Sequence, residues 1–236
     1  MPRDSDAHRG GDEPGEDLIP VPVWDLPTRL FHWSLVILVC TSWGAGVAGF
    51  LTVHMLSGLA ILSLVLFRLV WGVIGSTTAR FSHFLQGPRA ALDYLAELTG
   101  RRPASRWAGH NPVGGWMIAV LLLVLLVQTG SGLFANDDIT TSGPLAHLVS
   151  KAHGDTLTTV HKVSFKLLLG LVGTHILAAL FYLVVKRENL IIPMVTGRKP
   201  WPPAAPRPPL HFTNPLWALP TLSASAAAVW LLVTRL

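Results

Sequence analysis

Four histidines set in apolar sequence carry the chemistry that can be read from this 236-residue chain: His32, His54, His161 and His175. His161 and His175 stand fourteen residues apart in an apolar run from about Leu157 to Val185. At 100° per residue they share a helix face to within about 40°, and they are separated by roughly 21 Å along the axis. That rise covers most of a hydrocarbon core about 30 Å thick, so one imidazole falls near each edge. Two same-face imidazoles near opposite surfaces suggest two metal centres stacked across a membrane. Each centre then needs a partner from another helix.

The elements that must supply those partners are apolar segments near residues 30–48, 52–74, 113–134, 157–185 and 215–234. Each is long enough to span a bilayer as a helix, and none alternates with the period of a barrel strand. With 50% hydrophobic and 13% charged residues, the chain reads as an all-α integral membrane protein, because helices satisfy their own backbone groups in lipid. Arg80, Arg89, Arg101, Arg102 and Arg106 lie between the second and third segments. Lys186, Arg187, Arg198, Lys199 and Arg207 lie between the fourth and fifth. Asp137, Asp138 and Asp155 face only Lys151 in the loop between. The bias of Lys and Arg places the N-terminus and both basic loops in the cytoplasm and the C-terminus outside. The net charge of +5 is thus a topology signal, and nucleic acid is excluded as a partner.

Antiparallel threading sorts the histidines by depth. His32 opens the first helix at the inner face, and His175 lies towards the inner end of the fourth. His54 and His161 open the second and fourth helices at the outer face. One histidine alone is as readily a hydrogen-bonded core residue, but two level pairs are not expected by chance, and ionisable groups at such depth are costly. Zinc wants four converging ligands, whereas these are two plus two. Copper on two imidazoles fits the spacing, but a wide apolar bundle suits a porphyrin better, which makes haem iron with two axial imidazoles the expected centre. With both axial positions filled, electron transfer is the default chemistry.

Lesser candidates follow the same faces. Gly58 lies one turn from His54, where a missing side chain lets a macrocycle lie flat or a neighbouring helix approach. Arg68 is fourteen residues from His54, so it reaches the depth of the inner haem and can pair with its propionates; Arg29, one turn before His32, can do the same. Snorkelling to the inner surface is the alternative for both. Lys166 points about 140° away from His161 and has no assigned role. His83 and His110 on the inner loop are read as interfacial or solvated, His147 and His153 as candidates for docking or proton release at the outer face, and His8 and His211 as tail and linker residues. Cys40 is the only cysteine, which rules out an internal disulfide, an iron–sulfur cluster and covalent Cys-x-x-Cys-His haem. Residues 1–20 read as a disordered cytoplasmic tail without the apolar core of a signal peptide, residues 84–98 as an amphipathic surface helix, 200–214 as an extended Pro-rich linker and 215–236 as a fifth membrane helix.

Val23-Trp-Asp…Arg29-Leu-Phe-His-Trp33, His54-x-x-x-Gly58, Arg68-x-x-Trp-Gly72, Gly109-His-Asn-Pro-x-Gly-Gly115 and the His161/His175 pair resemble the prokaryotic cytochrome b561 family, which includes the b-type cytochrome subunits of nickel–iron hydrogenases. The resemblance covers residues 21–199, including Asn189-Leu…Met194…Gly197-Arg-Lys199. It implies a four-helix bundle in a bacterial inner membrane, two non-covalent haem b groups, quinone redox chemistry, and axial roles for His32 with His175 and His54 with His161. Lys162 stands where the family often has an acidic residue. The expected function is electron transfer between the quinone pool and a partner redox protein, such as a c-type cytochrome or a dehydrogenase. A self-contained superoxide:quinone oxidoreductase and a haem-free structural or assembly subunit are the alternatives.

Overall fold

The structure is a computed structural model that describes residues 18–103, 105–136 and 141–235; most of the N-terminal tail, with His8, and the acidic residues Asp137 and Asp138 lie outside the described residues. Five helices are long and apolar enough to cross a membrane. They are α1 (Leu26–Val47), α2 (Leu51–Ile74), α5 (Pro112–Gly132), α6 (Lys151–Val184) and α8 (Ala218–Arg235, extended at its start by a 3-10 turn from Pro215). Short helices α3 (Phe81–Phe84) and α4 (Pro88–Leu98) join α2 to α5, and α7 (Ile191–Thr196) follows α6. The end of the bundle that carries both arginine-rich connections is called the basic end below, and the opposite one the far end.

Each spanning helix starts where its sequence supplies a cap. Asp25 caps α1, its Oδ1 accepting from the Thr28 amide at 2.8 Å, with Pro27 in the first turn. Asn111 does the same for α5 through the Gly114 amide at 2.7 Å, ahead of Pro112. Ser150 caps α6. That helix therefore begins nearly two turns before the apolar run does and carries His153 and Asp155 ahead of it. The amphipathic segment is not one helix, because Gly87 and Pro88 break it and Pro88 restarts it as the first residue of α4.

Packing centres on α2, which touches α1, α5 and α8, while α6 lies against α5. Phe31, Phe67, Trp71 and Leu122 fill the basic end; Ile61, Val65, Leu125 and Leu168 fill the middle; Leu62, Leu133 and Val229 pin α8 to the far end. A strand pair that no periodicity announces covers the basic end. Strand β1 (Ile19–Pro22) runs antiparallel to β2 (Arg198–Trp201), so Ile19 and Pro20 are paired rather than part of a tail, and the Pro-rich linker begins within a sheet. The Val23 and Trp24 amides both donate to the Gly197 carbonyl, and Lys199 reaches the Trp107 carbonyl at 2.7 Å.

Asp25 holds α1 against α2 as well as capping it, because its Oδ2 accepts from the Trp71 indole at 3.0 Å. Replacing Asp25 by Ala removes a cap and strands a fully buried donor, together roughly 3 kcal/mol. A clear fall in the thermal midpoint of the detergent-solubilised chain is expected, with only part recovered in Asp25→Asn, whose one oxygen replaces one of the two acceptors while its NH2 faces the other donor. An unchanged melt in Asp25→Ala would show that the cap contributes little.

Candidate functional site

The four histidines come together in the two depth-matched couples. The rings of His54 on α2 and His161 on α6 have centroids 6.0 Å apart and cross at 86°; those of His32 on α1 and His175 on α6 are 6.4 Å apart at 54°. All four rings are part-buried. Among the described residues no third His, Cys, Asp or Glu joins either couple to make a larger ligand cluster.

The far couple is held by backbone. His54 Nδ1 lies 2.8 Å from the Ser42 carbonyl of α1, and His161 Nδ1 lies 2.8 Å from the Gln128 carbonyl of α5. A carbonyl accepts only, so each Nδ1 carries the proton and each Nε2 keeps its lone pair. Four residues on from each carbonyl stands a glycine that gives the ring its room. A Cβ on Gly46 would meet His54 Nδ1 at 3.0 Å, and one on Gly132 would meet His161 Cε1 at 2.8 Å. The two arrangements repeat one pattern, Ser42-Trp-Gly-Ala-Gly46 and Gln128-Thr-Gly-Ser-Gly132, near the end of the helix that precedes each histidine-bearing one. Spacing of the histidines alone does not reveal these four residues. The repeated polar-x-Gly-x-Gly was the available signal, although Gly44 to Gly49 reads as a turn until Gly44 and Gly46 are seen inside α1. Ser164 donates to the Gln128 side-chain oxygen, and the Gln128 amide nitrogen lies 3.1 Å from His161 Nε2.

Beside these two rings opens a cavity of about 580 Å³, lined mainly by apolar side chains together with both histidines, Gly46, Gly58, Gly132 and the polar Ser42, Gln128, Thr129 and Lys162. No atom lies within 4 Å of the position a Cβ would take on Gly58, so it faces open space and not a helix contact. Lys166 is exposed on α6, outside the cavity.

The basic end is built differently. Among the described residues, the buried side-chain polar atoms without a hydrogen-bond partner all belong to this end: those of Thr28, Arg29, His32, Arg68, Trp107, His110 and Trp201. Arg68 is only 2% exposed and does not snorkel; its guanidinium lies over the rings of Phe81 and Phe84 at 5.3 and 5.7 Å. Arg29 turns to α7 instead, its Nη1 donating to the Val195 carbonyl. Trp33 donates to the Met194 carbonyl at 3.2 Å. His110, read from the sequence as a loop residue, sits between Trp24 and Phe84 at 4.8 and 5.1 Å. Burial, followed by the charges of Arg68 and nearby histidines, pushes its imidazole down to about 3, which leaves it neutral. Beside it, Asn111 donates to the hydroxyls of Tyr94 and Tyr182, which bond to one another. His83 is exposed, His153 meets the Ser150 hydroxyl at 2.8 Å, and His211 presents its carbonyl to Thr77.

No curated protein and no solved structure matches the chain. A sequence model of one family, prokaryotic cytochrome b561, matches residues 23–197, which contain all four membrane histidines and both polar-x-Gly-x-Gly repeats. The chain therefore belongs to the prokaryotic cytochrome b561 family and is a multi-pass membrane cytochrome of b type that serves in electron transfer.

Proposed function

We propose that the chain holds two haem b groups, one between His32 and His175 and one between His54 and His161, and passes single electrons across the membrane between quinone and a partner redox protein. The observation that carries this reading is the ring separation. Two imidazoles bound to one iron, each through a bond of about 2 Å, have centroids about 6 Å apart. Both couples match, at 6.0 and 6.4 Å. The far couple also has its Nδ1 protons committed to carbonyls, which orients Nε2 for a metal. Binding there requires Gln128 to give up its contact with His161 Nε2 while the carbonyl contact stays. Arg68, buried with an unpaired Nη1, suits a propionate at the basic end, and Gly58 lets a flat ring lie against α2.

When bound, the haems would supply one-electron carriers. His32 with His175 and His54 with His161 would hold them, and the surrounding apolar side chains would keep water from them. In this reading the basic end faces the cytoplasm, and the partner, a c-type cytochrome or a dehydrogenase, meets the chain at a surface close to one haem.

The purified chain in sealed vesicles tests this. Quinol added with a membrane-impermeant one-electron oxidant on the opposite side should be oxidised at a rate that falls by tenfold or more when either His54 or His175 becomes Ala. Equal rates in wild type and both variants would show that no electron path runs through the two sites.

A further inference from the structure

Two of the unpartnered polar groups at the basic end differ from the rest in what they touch. Arg68 Nη1 and His110 Nδ1 are both buried and without a hydrogen-bond partner, and both side chains pack on the same ring, that of Phe84. They come from different segments, α2 and the connection between α4 and α5. Two separate stretches of sequence thus deliver donors to one place. Leaving a donor buried and unmet costs about 1–3 kcal/mol, and more for a charged group. Hydrophobic packing alone would favour Leu or Phe at both positions. Asp25 is near enough to offset part of the Arg68 charge, but its carboxylate is turned to Thr28 and Trp71 and makes no hydrogen bond to Arg68 Nη1.

An anionic acceptor would suit both, meeting the guanidinium charge and, with the proton on Nδ1, a hydrogen bond from His110. Phe81, Phe84 and Trp24 pack against these two side chains, and the membrane histidines His32 and His175 are close enough to His110 to act on it electrostatically. We infer that Arg68 and His110 together form a donor pair for one carboxylate of the haem held between His32 and His175, an inference that rests on the ligation proposed above. The guanidinium supplies charge and the imidazole supplies a second, directional hydrogen bond. The polarity of the basic end follows from it, as does the contrast with the far end, where no buried polar atom among the described residues lacks a partner.

Donors on a propionate draw its negative charge away from the iron and favour the reduced form, so removing one lowers the midpoint potential of that haem. The test is a redox titration of the purified full chain, followed at the α-band and paired with the propionate-bending region of the resonance Raman spectrum. His110→Leu and Arg68→Gln should each shift the reduction equilibrium of one haem by about tenfold, which is about 59 mV for one electron. The component that shifts should be the one His175→Ala removes, and its propionate band should move while the other haem keeps its potential. His110→Gln, which retains a donor, should restore most of the shift. Arg68→Lys, with its charge kept and its fork lost, should move the band with a smaller change in potential, and this variant decides the matter if His110→Leu does not fold. Potentials and propionate bands unchanged in the variants, or both components shifting alike, would overturn the inference. If His175→Ala strips no haem, the ligation itself is wrong; if it strips one and the variants leave the propionate band in place, only the donor pair is wrong.

Discussion

Purified His54→Ala is expected to retain about one haem where the wild type carries about two, and His161→Ala should lose the same spectral component. The reason is geometric: the two rings face each other at 6.0 Å and come from helices α2 and α6, so each is half of one axial pair. His32→Ala and His175→Ala should strip the other component, for the same reason at 6.4 Å. The pairs also predict how double variants behave. Removing both members of a couple acts on one bound group, so His54→Ala with His161→Ala should cost no more haem than either alone. Crossing the couples, as in His54→Ala with His175→Ala, should leave a chain with almost none. A haem bound to the native state also stabilises it, so each single variant should melt lower. Haem counting by the pyridine assay with reduced-minus-oxidised spectra reads all of these. Loss of both components from every single variant would mean that the sites do not form independently.

The second large effect concerns two glycines that line the far cavity and give the histidine rings their room. Any side chain on Gly132 begins 2.8 Å from His161 Cε1, closer than carbon atoms approach without something moving. The neighbour is a ring tied to the Gln128 carbonyl, and overpacking of this kind costs about 1–3 kcal/mol. Gly132→Ala should therefore displace the imidazole and lose the far haem, about half of the total α-band, while the near-basic one stays. Gly46→Ala, with 3.0 Å to His54 Nδ1, should do so less completely. Gly130→Ala is the control, since nothing lies within 4 Å of its Cβ position. Equal haem content in Gly132→Ala and Gly130→Ala would show that the ring has room to spare.

Much of this architecture is legible in the residues, for identifiable reasons. Helices α1, α2 and α5 are visible because long apolar runs meet caps at Asp25 and Asn111 and prolines in the first turn. The pairing of histidines follows from depth alone, which antiparallel threading fixes before any packing is known. Hydropathy misplaces the start of α6 because Ser150 caps a polar stretch that lies beyond the apolar run. The sheet between β1 and β2 is invisible because its strands are short, proline-bearing and far apart in sequence. Its role shows only in the structure, where Arg29 and Trp33 bond to carbonyls near it. His110 is hard to place for a related reason. A loop residue next to Asn and Pro reads as solvated, and only the approach of Trp24 and Phe84 encloses it.

The central claim is that each couple of imidazoles grips its own iron, and electron paramagnetic resonance of the oxidised chain, quantified against protein, tests it most directly. Two low-spin ferric signals of about one spin each per chain are predicted, as two imidazole axial ligands require. A single signal of about one spin, or a dominant high-spin species, would contradict it.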